Sequence, residues 1–199
     1  MAKKVNILLD LDQTLISAEP LEEYDMKKNM KKSEKFTSYD MEGYYIVFER
    51  PKLQTFLTYL FDNFNVSIWT AATKDYALFV IDKIITSNHP ERKIDYLFFS
   101  YHCDVSKDVK SHSKDLSMLW DVYKIKGYTK GNTVILDDYD EVHKSQPDNC
   151  IIAEPFEYNA INSEKDKFLD DLTIHLRSLT KKVDNGETVE TIVKAINKK

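Results

Sequence analysis

Val5-Asn6-Ile7-Leu8-Leu9-Asp10-Leu11-Asp12-Gln13-Thr14-Leu15 is the stretch on which the fold turns. Val5–Leu9 is apolar except for Asn6, and its length and branching predict a buried strand rather than a helix. The run stops abruptly in acid. Asp10 and Asp12 lie two apart, so an extended chain points both to one face, and a chain leaving the sheet there lets both carboxylates converge. Taken alone the pair is a weak signal, because acidic residues also end strands and cap the next element.

Outward from this segment, similar apolar runs predict strands over Asn65–Trp69, Ile94–Phe99 and Thr133–Leu136, with a short one over Asn149–Ala153. Between them fall helical spacings. Arg50-Pro51 opens one that carries Leu53, Phe56, Leu57, Leu60 and Phe61, Pro51 suiting a first turn. Asp75–Thr86 is a second and Leu116–Tyr123 a third. Phe36–Asp40 and Tyr44–Phe48 flank Met41-Glu42-Gly43, which predicts a β-hairpin over 36–48 with Gly43 at the awkward backbone angle. Residues 19–35, with Lys27, Lys28, Lys31, Lys32 and Lys35, read as a mobile, solvated loop, or as a flap that attracts acidic substrate. Ser163–Thr180 and Thr188–Ile196 close the chain as amphipathic helices within 163–198, with Ser163 as a cap and Gly186 as the break between them. Strands alternating with helices predict an α/β fold with a mostly parallel sheet, and the expectation is one domain over residues 1–199.

Composition narrows the function classes. The chain has 199 residues, 42% hydrophobic and 31% charged, enough for a core without disulfide or metal staples. Its 28 basic and 33 acidic residues leave a net charge of −5, against general nucleic-acid binding. The two cysteines, Cys103 and Cys150, make no secreted disulfide framework and point to a reducing compartment. No run approaches the roughly 20 apolar residues of a membrane span. The expectation is a soluble, intracellular protein, nuclear or cytoplasmic, that touches no membrane. His102, His112 and His143 lack zinc spacing with either cysteine.

In parallel α/β sheets ligands collect at the carboxyl ends of the strands. Here three such ends carry Asp10/Asp12, Thr70 and Asp137/Asp138. So many carboxylates at one edge repel unless a cation sits among them, and hard oxygen donors with room for water suit Mg²⁺. A structural Ca²⁺ would draw more ligands from one loop. Thr70, with the backbone N–H groups of Ala71 and Ala72 at a helix amino end, would hold a phosphate; a plain helix cap is the alternative. Lys114, just before a helix, could neutralise a phosphate oxygen or hold the carboxylates together.

Asp10-Leu11-Asp12-Gln13-Thr14-Leu15 after an apolar strand resembles the first motif of the haloacid dehalogenase superfamily, and more closely that of the small phosphatases of the RNA polymerase II carboxy-terminal domain. Trp69-Thr70-Ala71-Ala72-Thr73-Lys74-Asp75-Tyr76-Ala77, preceded by Arg50-Pro51 and Phe56-Leu57, resembles the second motif. Lys114-Asp115-Leu116-Ser117 resembles the third, and Val134–Asp138 with Gln146-Pro147-Asp148-Asn149 the fourth. The sequence departs from the family pattern where Gln13 replaces Glu, Asp138 replaces Asn and Ser100 replaces Arg.

The resemblance implies a haloacid dehalogenase-like fold with a β-hairpin insertion and no large cap domain, hence an open site suited to a phosphorylated peptide. It implies a hydrolase that forms an aspartyl-phosphate on Asp10, with Asp12 as acid and then base. Thr70, Ala71, Ala72 and Lys114 would hold the phosphate. Mg²⁺ would be held by Asp10, the backbone carbonyl of Asp12 and Asp138, with Asp137 orienting a metal-bound water or Lys114. The implied partner is a phosphorylated protein, the polymerase carboxy-terminal domain being the family's substrate. The rivals are a phosphatase of small-molecule or nucleic-acid-end phosphomonoesters and a catalytically dead phosphopeptide binder. Intact Asp10 and Asp12 count against the binder.

Overall fold

The computed structural model describes residues 5–24 and 31–198. In chain order its elements are β1 (Asn6–Leu9), β2 (Ile16–Pro20), β3 (Ser38–Met41), β4 (Tyr45–Glu49), α1 (Leu53–Asn63), β5 (Asn65–Trp69) and α2 (Lys74–Val80). After these come β6 (Leu97–Phe98), α3 (Ser100–Lys110), β7 (Thr133–Asp137), α4 (Asp140–Ser145), β8 (Cys150–Ile152), α5 (Phe168–Asp184) and α6 (Val189–Ile196). Five parallel strands make the central sheet in the order β6-β5-β1-β7-β8.

The apolar runs are near-continuous because both faces of this sheet are covered. Ile7, Leu9, Val66, Ile68, Val134 and Leu136 face one core with the buried residues of α1, α2, α5 and α6. Leu8, Trp69 and Ile135 point the other way, onto Cys103, Leu116, Leu119 and Val142. The chain steps from β1 outward through β5 and β6, then crosses to the other side of β1 for β7 and β8. The winding therefore reverses at β1, and a reversal of this kind leaves a crevice at the carboxyl ends of the strands.

Between β1 and α1 the chain inserts a second, antiparallel sheet in the order β2-β4-β3. Its tight turn needs left-handed backbone at both central residues, Glu42 at φ 50° and Gly43 at φ 81°. The expected mobile loop over 19–35 is corrected where it is described. Glu19 and Pro20 belong to β2, opposite Ile46 and Tyr45, and Lys32 and Lys35 reach Glu164 at 2.7 and 2.8 Å. Those two ammonium groups are paired with a carboxylate. Lys27 and Lys28 lie outside the described residues.

Other boundaries move for local reasons. Pro51 stands in the turn before α1, and Lys52, at φ 69°, precedes the first helical residue. The second predicted helix turns π-helical at Ile81–Ile85, and the third is a single π-helical turn, Met118–Val122. Of the predicted strand 94–99, Leu97–Phe98 is regular, at an edge of the sheet, and Asp95 N–H and Tyr96 O also bond to β5. α3 goes unanticipated, because it buries just Cys103 and Ser106 and so shows no apolar stripe. Ser163 caps no long helix: its hydroxyl donates to Tyr158 O, and α5 starts at Phe168, whose N–H donates to Asp166 at 3.0 Å. Gly186, at φ 91°, ends the last turn of α5 as expected.

Candidate active site

The register of β1 places Leu9 beside Leu136 of β7 and Ile68 of β5. One residue on, Asp10 still donates its N–H to Leu136 O at 3.0 Å, so its carboxylate sits in the crevice. Asp137 follows Leu136 at the level of Asp10, Thr70 lies one residue further, just past the end of β5, and all three are buried. Past Asp10 the chain leaves the sheet in a tight loop, with Gln13 at φ 58° and the N–H groups of Leu15 and Ile16 donating to Leu11 O.

Lys114 ties the cluster together. Its Nζ donates to Asp10 Oδ1 at 2.6 Å and to Asp137 Oδ2 at 2.7 Å, although the residue is only 4% exposed. Burial pulls its ammonium down, but the two carboxylates outweigh burial and hold it above the ordinary lysine range. Asp137 is pushed up, by burial first and by Asp10 next, against the pull of Lys114. Asp138 is raised by burial and by Asp10 as well. Carboxylate oxygens of Asp10, Asp137 and Asp138 all lie within 4.8 Å of one another. An all-oxygen donor set with this unresolved repulsion fits a hard divalent cation. Of the two expected roles for Asp137, its geometry matches holding Lys114. Its other oxygen accepts the Tyr139 N–H at 2.9 Å.

Asp12 is separate from the acidic trio. Its carboxylate accepts the Tyr76 hydroxyl at 2.5 Å, and its pKa is raised to about 6, by burial above all and despite that bond. Burial and the Asp12 carboxylate hold the Tyr76 phenol far above its usual range. Of the four aspartates expected at the metal, Asp12 therefore contributes no side chain to the cluster.

Thr70 does not cap a helix, and this corrects the picture of 70–72 as a helix amino end. Its buried hydroxyl accepts the Ala72 N–H at 3.0 Å, while α2 begins at Lys74 under Thr73, whose hydroxyl accepts from Tyr76 N–H. Ala71 and Ala72 lie in the loop between, and Ala72 O accepts from Ser100 N–H at 2.9 Å.

Four supporting residues carried no assigned role in the sequence. Thr14 Oγ1 donates to Asp138 at 3.1 Å and lies 3.5 Å from Asp10. Tyr76 holds Asp12. Gln146 donates to Lys114 O at 2.8 Å and accepts from Leu116 N–H at 2.9 Å, pinning the left-handed backbone of Lys114 at φ 54°. Arg50, buried between Phe156 and Phe168, donates to Thr14 O at 3.0 Å, to Glu154 O and to both oxygens of Asp166. All four lie inside the quoted motifs, but only the fold shows what they touch.

A family model described as NLI interacting factor-like phosphatase matches residues 5–187. The CTD phosphatase-like protein 355R of invertebrate iridescent virus 6 is 47% identical over 168 residues, 82% of this chain and 92% of that protein. The ubiquitin-like domain-containing CTD phosphatase 1 of Danio rerio is 27% identical over 140 residues, 66% of this chain and 42% of that protein. Among solved structures, fission yeast RNA polymerase II CTD phosphatase Fcp1 bound to beryllium fluoride superposes with a TM-score of 0.56 at 20% identity, covering 96% of this chain and 54% of that one. That likeness carries the haloacid dehalogenase-like α/β fold. No helix among the described residues is long and apolar enough to cross a membrane. The extent of the family match, joined to the identity with the viral protein, places this chain in the family of NLI interacting factor-like phosphatases.

Proposed function

We propose that the chain hydrolyses phosphoserine or phosphothreonine in a protein segment through an aspartyl-phosphate on Asp10. The polymerase carboxy-terminal domain is the substrate to which the relatives' names point. The observation that carries this reading is the division of labour among the carboxylates. Asp10 is gripped by Lys114 amid the acidic trio, while Asp12, two residues on, has a pKa of about 6.

In the first step an oxygen of Asp10 attacks phosphorus, the bond to the seryl oxygen breaks, and that oxygen takes the proton of Asp12. In the second, water attacks phosphorus, Asp12 takes its proton back, and the bond to Asp10 breaks to release phosphate. A group near pKa 6 can serve both ways near neutrality, and such help is worth about 10²–10⁴-fold in rate. Lys114 stays charged throughout and keeps Asp10 aimed. Thr70, Ala71 and Ala72 border the space for the phosphate oxygens. Asp10, Asp138 and the backbone carbonyl of Asp12 would hold Mg²⁺, which supplies positive charge where nucleophile and phosphate repel.

A groove of about 300 Å³ opens beside Asp12, lined among others by Glu19, Glu23 and Glu157. These carboxylates repel a polyanion, which favours a peptide over a nucleic-acid end whether the encounter is nuclear or cytoplasmic. The test is hydrolysis of a phosphoserine peptide panel beside small phosphomonoesters and 5′-phosphorylated oligonucleotides, each with Mg²⁺ and with chelator. Peptide turnover that needs Mg²⁺, disappears in Asp10→Asn and leaves trapped phosphate on Asp10 is the expected result. Phosphate found on another residue, or undiminished turnover under chelation, overturns it.

A further inference from the structure

We infer that Tyr76 is a positioning residue for phosphoryl transfer: its hydroxyl fixes one oxygen of Asp12 so that the other faces the leaving seryl oxygen. The inference rests on the reading of Asp12 as acid and base, and adds which oxygen does the work. A carboxyl group on an aspartate turns about its last torsion in a broad well, so its two oxygens exchange places unless something holds one. Here the hold is built from three elements. Thr73 accepts from the Tyr76 N–H and so fixes the first turn of α2, which aims the Tyr76 side chain back toward β1. The ring is 7% exposed and packed into the core on the α2 side of the sheet. Its outer edge meets Tyr45 of β4 at 5.7 Å between centroids and 82° between planes, so the inserted sheet braces it.

What reaches the crevice is the phenolic O–H, donated to Asp12 Oδ1 at 2.5 Å. Toward a carboxylate a phenol can only donate, so Oδ1 is an acceptor whenever Asp12 is charged. When Asp12 is neutral, its unprotonated oxygen is the better acceptor, and the carboxyl proton therefore resides on Oδ2. Proton delivery to the seryl oxygen, and the return of a proton from water, then run through Oδ2 while Oδ1 stays bonded to Tyr76. Displacement of a reacting group by about 1 Å costs on the order of 10²-fold in rate, so one anchoring bond can matter to turnover without touching substrate.

The test compares the full chain with its Tyr76→Phe and Asp12→Asn variants, with Mg²⁺, on a phosphoserine peptide and on p-nitrophenyl phosphate. The second substrate has a leaving group that needs little protonation. Tyr76→Phe keeps the ring, and is expected to lower kcat on the peptide by about tenfold or more. KM should stay within about twofold, and the p-nitrophenol burst should keep nearly its wild-type rate. Site-specific 4-aminophenylalanine at position 76 restores a para donor and should recover most of the peptide rate. Equal losses of the phosphorylation rate on both substrates in single-turnover measurements, a peptide kcat within about twofold of wild type, or no rescue by the amino ring overturns the assignment. If Asp12→Asn spares peptide turnover, the acid reading falls and takes the role of Tyr76 with it. If Asp12→Asn shows the leaving-group split and Tyr76→Phe does not, the role of Tyr76 alone falls.

Discussion

Lys114→Met removes the cation that lies 2.6 Å from Asp10 and 2.7 Å from Asp137, and leaves a side chain of similar length. All three side chains are at most 8% exposed, so water cannot take over the neutralising role. Asp10, Asp137 and Asp138 would then face each other within 4.8 Å without a counter-charge. Taking one partner from a buried ion pair costs about 3–5 kcal/mol, the loss expected in metal-free buffer at pH 7.5. A first escape for the variant is protonation of Asp137, which burial and Asp10 already push upward. A carboxyl raised in the folded state binds a proton there that the unfolded chain has released, so stability falls as pH rises between the unfolded and folded values. With Lys114 present Asp137 already sits at about 7, and without it the value moves higher still, so the deficit should narrow by up to about 1.4 kcal/mol per pH unit as the buffer is taken from pH 8.5 toward 7. Mg²⁺ offers a second escape: at about 100-fold over its dissociation constant a ligand of the folded state adds about 2.7 kcal/mol. The variant should gain more from it than the wild type. Urea unfolding across this pH range, with and without Mg²⁺, measures all of this. A Lys114→Met protein within about 1 kcal/mol of wild type at pH 7.5 without metal, or a deficit independent of pH, would refute the reasoning.

Turnover of a phosphoserine peptide should fall about tenfold per pH unit above the Asp12 value of about 6, because the first step needs its proton. p-Nitrophenyl phosphate should show a shallower alkaline limb in the same buffers, and a flat peptide profile to pH 8 would contradict the assignment. Arg50→Lys keeps the charge but loses the planar fork that spans Thr14 O, Glu154 O and Asp166, and should destabilise the protein by about 3 kcal/mol in urea titrations.

The parts of the fold that showed in the sequence are those whose cause is local. β1, β5 and β7 are buried on both faces, so their apolar runs stand out without knowledge of their neighbours. The turn at Glu42–Gly43 and the end of α5 at Gly186 come from backbone freedom. α3 was invisible because its buried residues are a cysteine and a serine. The start of α5 was misplaced because Asp166, not Ser163, receives its first free N–H, and Asp166 is oriented by an arginine 116 positions earlier.

The site divides in the same way. Asp10, Asp137 and Asp138 were readable because strand ends expose them to one crevice, and the position of a carboxylate there says most of what it can do. What a sequence cannot show is which neighbour each one turns toward. Lys114 lies 104 positions from Asp10 and Tyr76 lies 64 from Asp12, yet those two contacts turn one carboxylate to an ammonium and the other to a phenol. Both rest on backbone a propensity argument would reject: Gln13 in the loop beneath Asp12, and Lys114 itself, adopt left-handed angles with ordinary side chains. Such conformations cost roughly 1 kcal/mol or more each and persist only where the surroundings over-determine them. Here the surroundings are Phe156 N–H on Gln13 O and the two-sided clasp of Gln146 about Lys114. The places where local preference is overruled are therefore the places where the two aspartates acquire different partners.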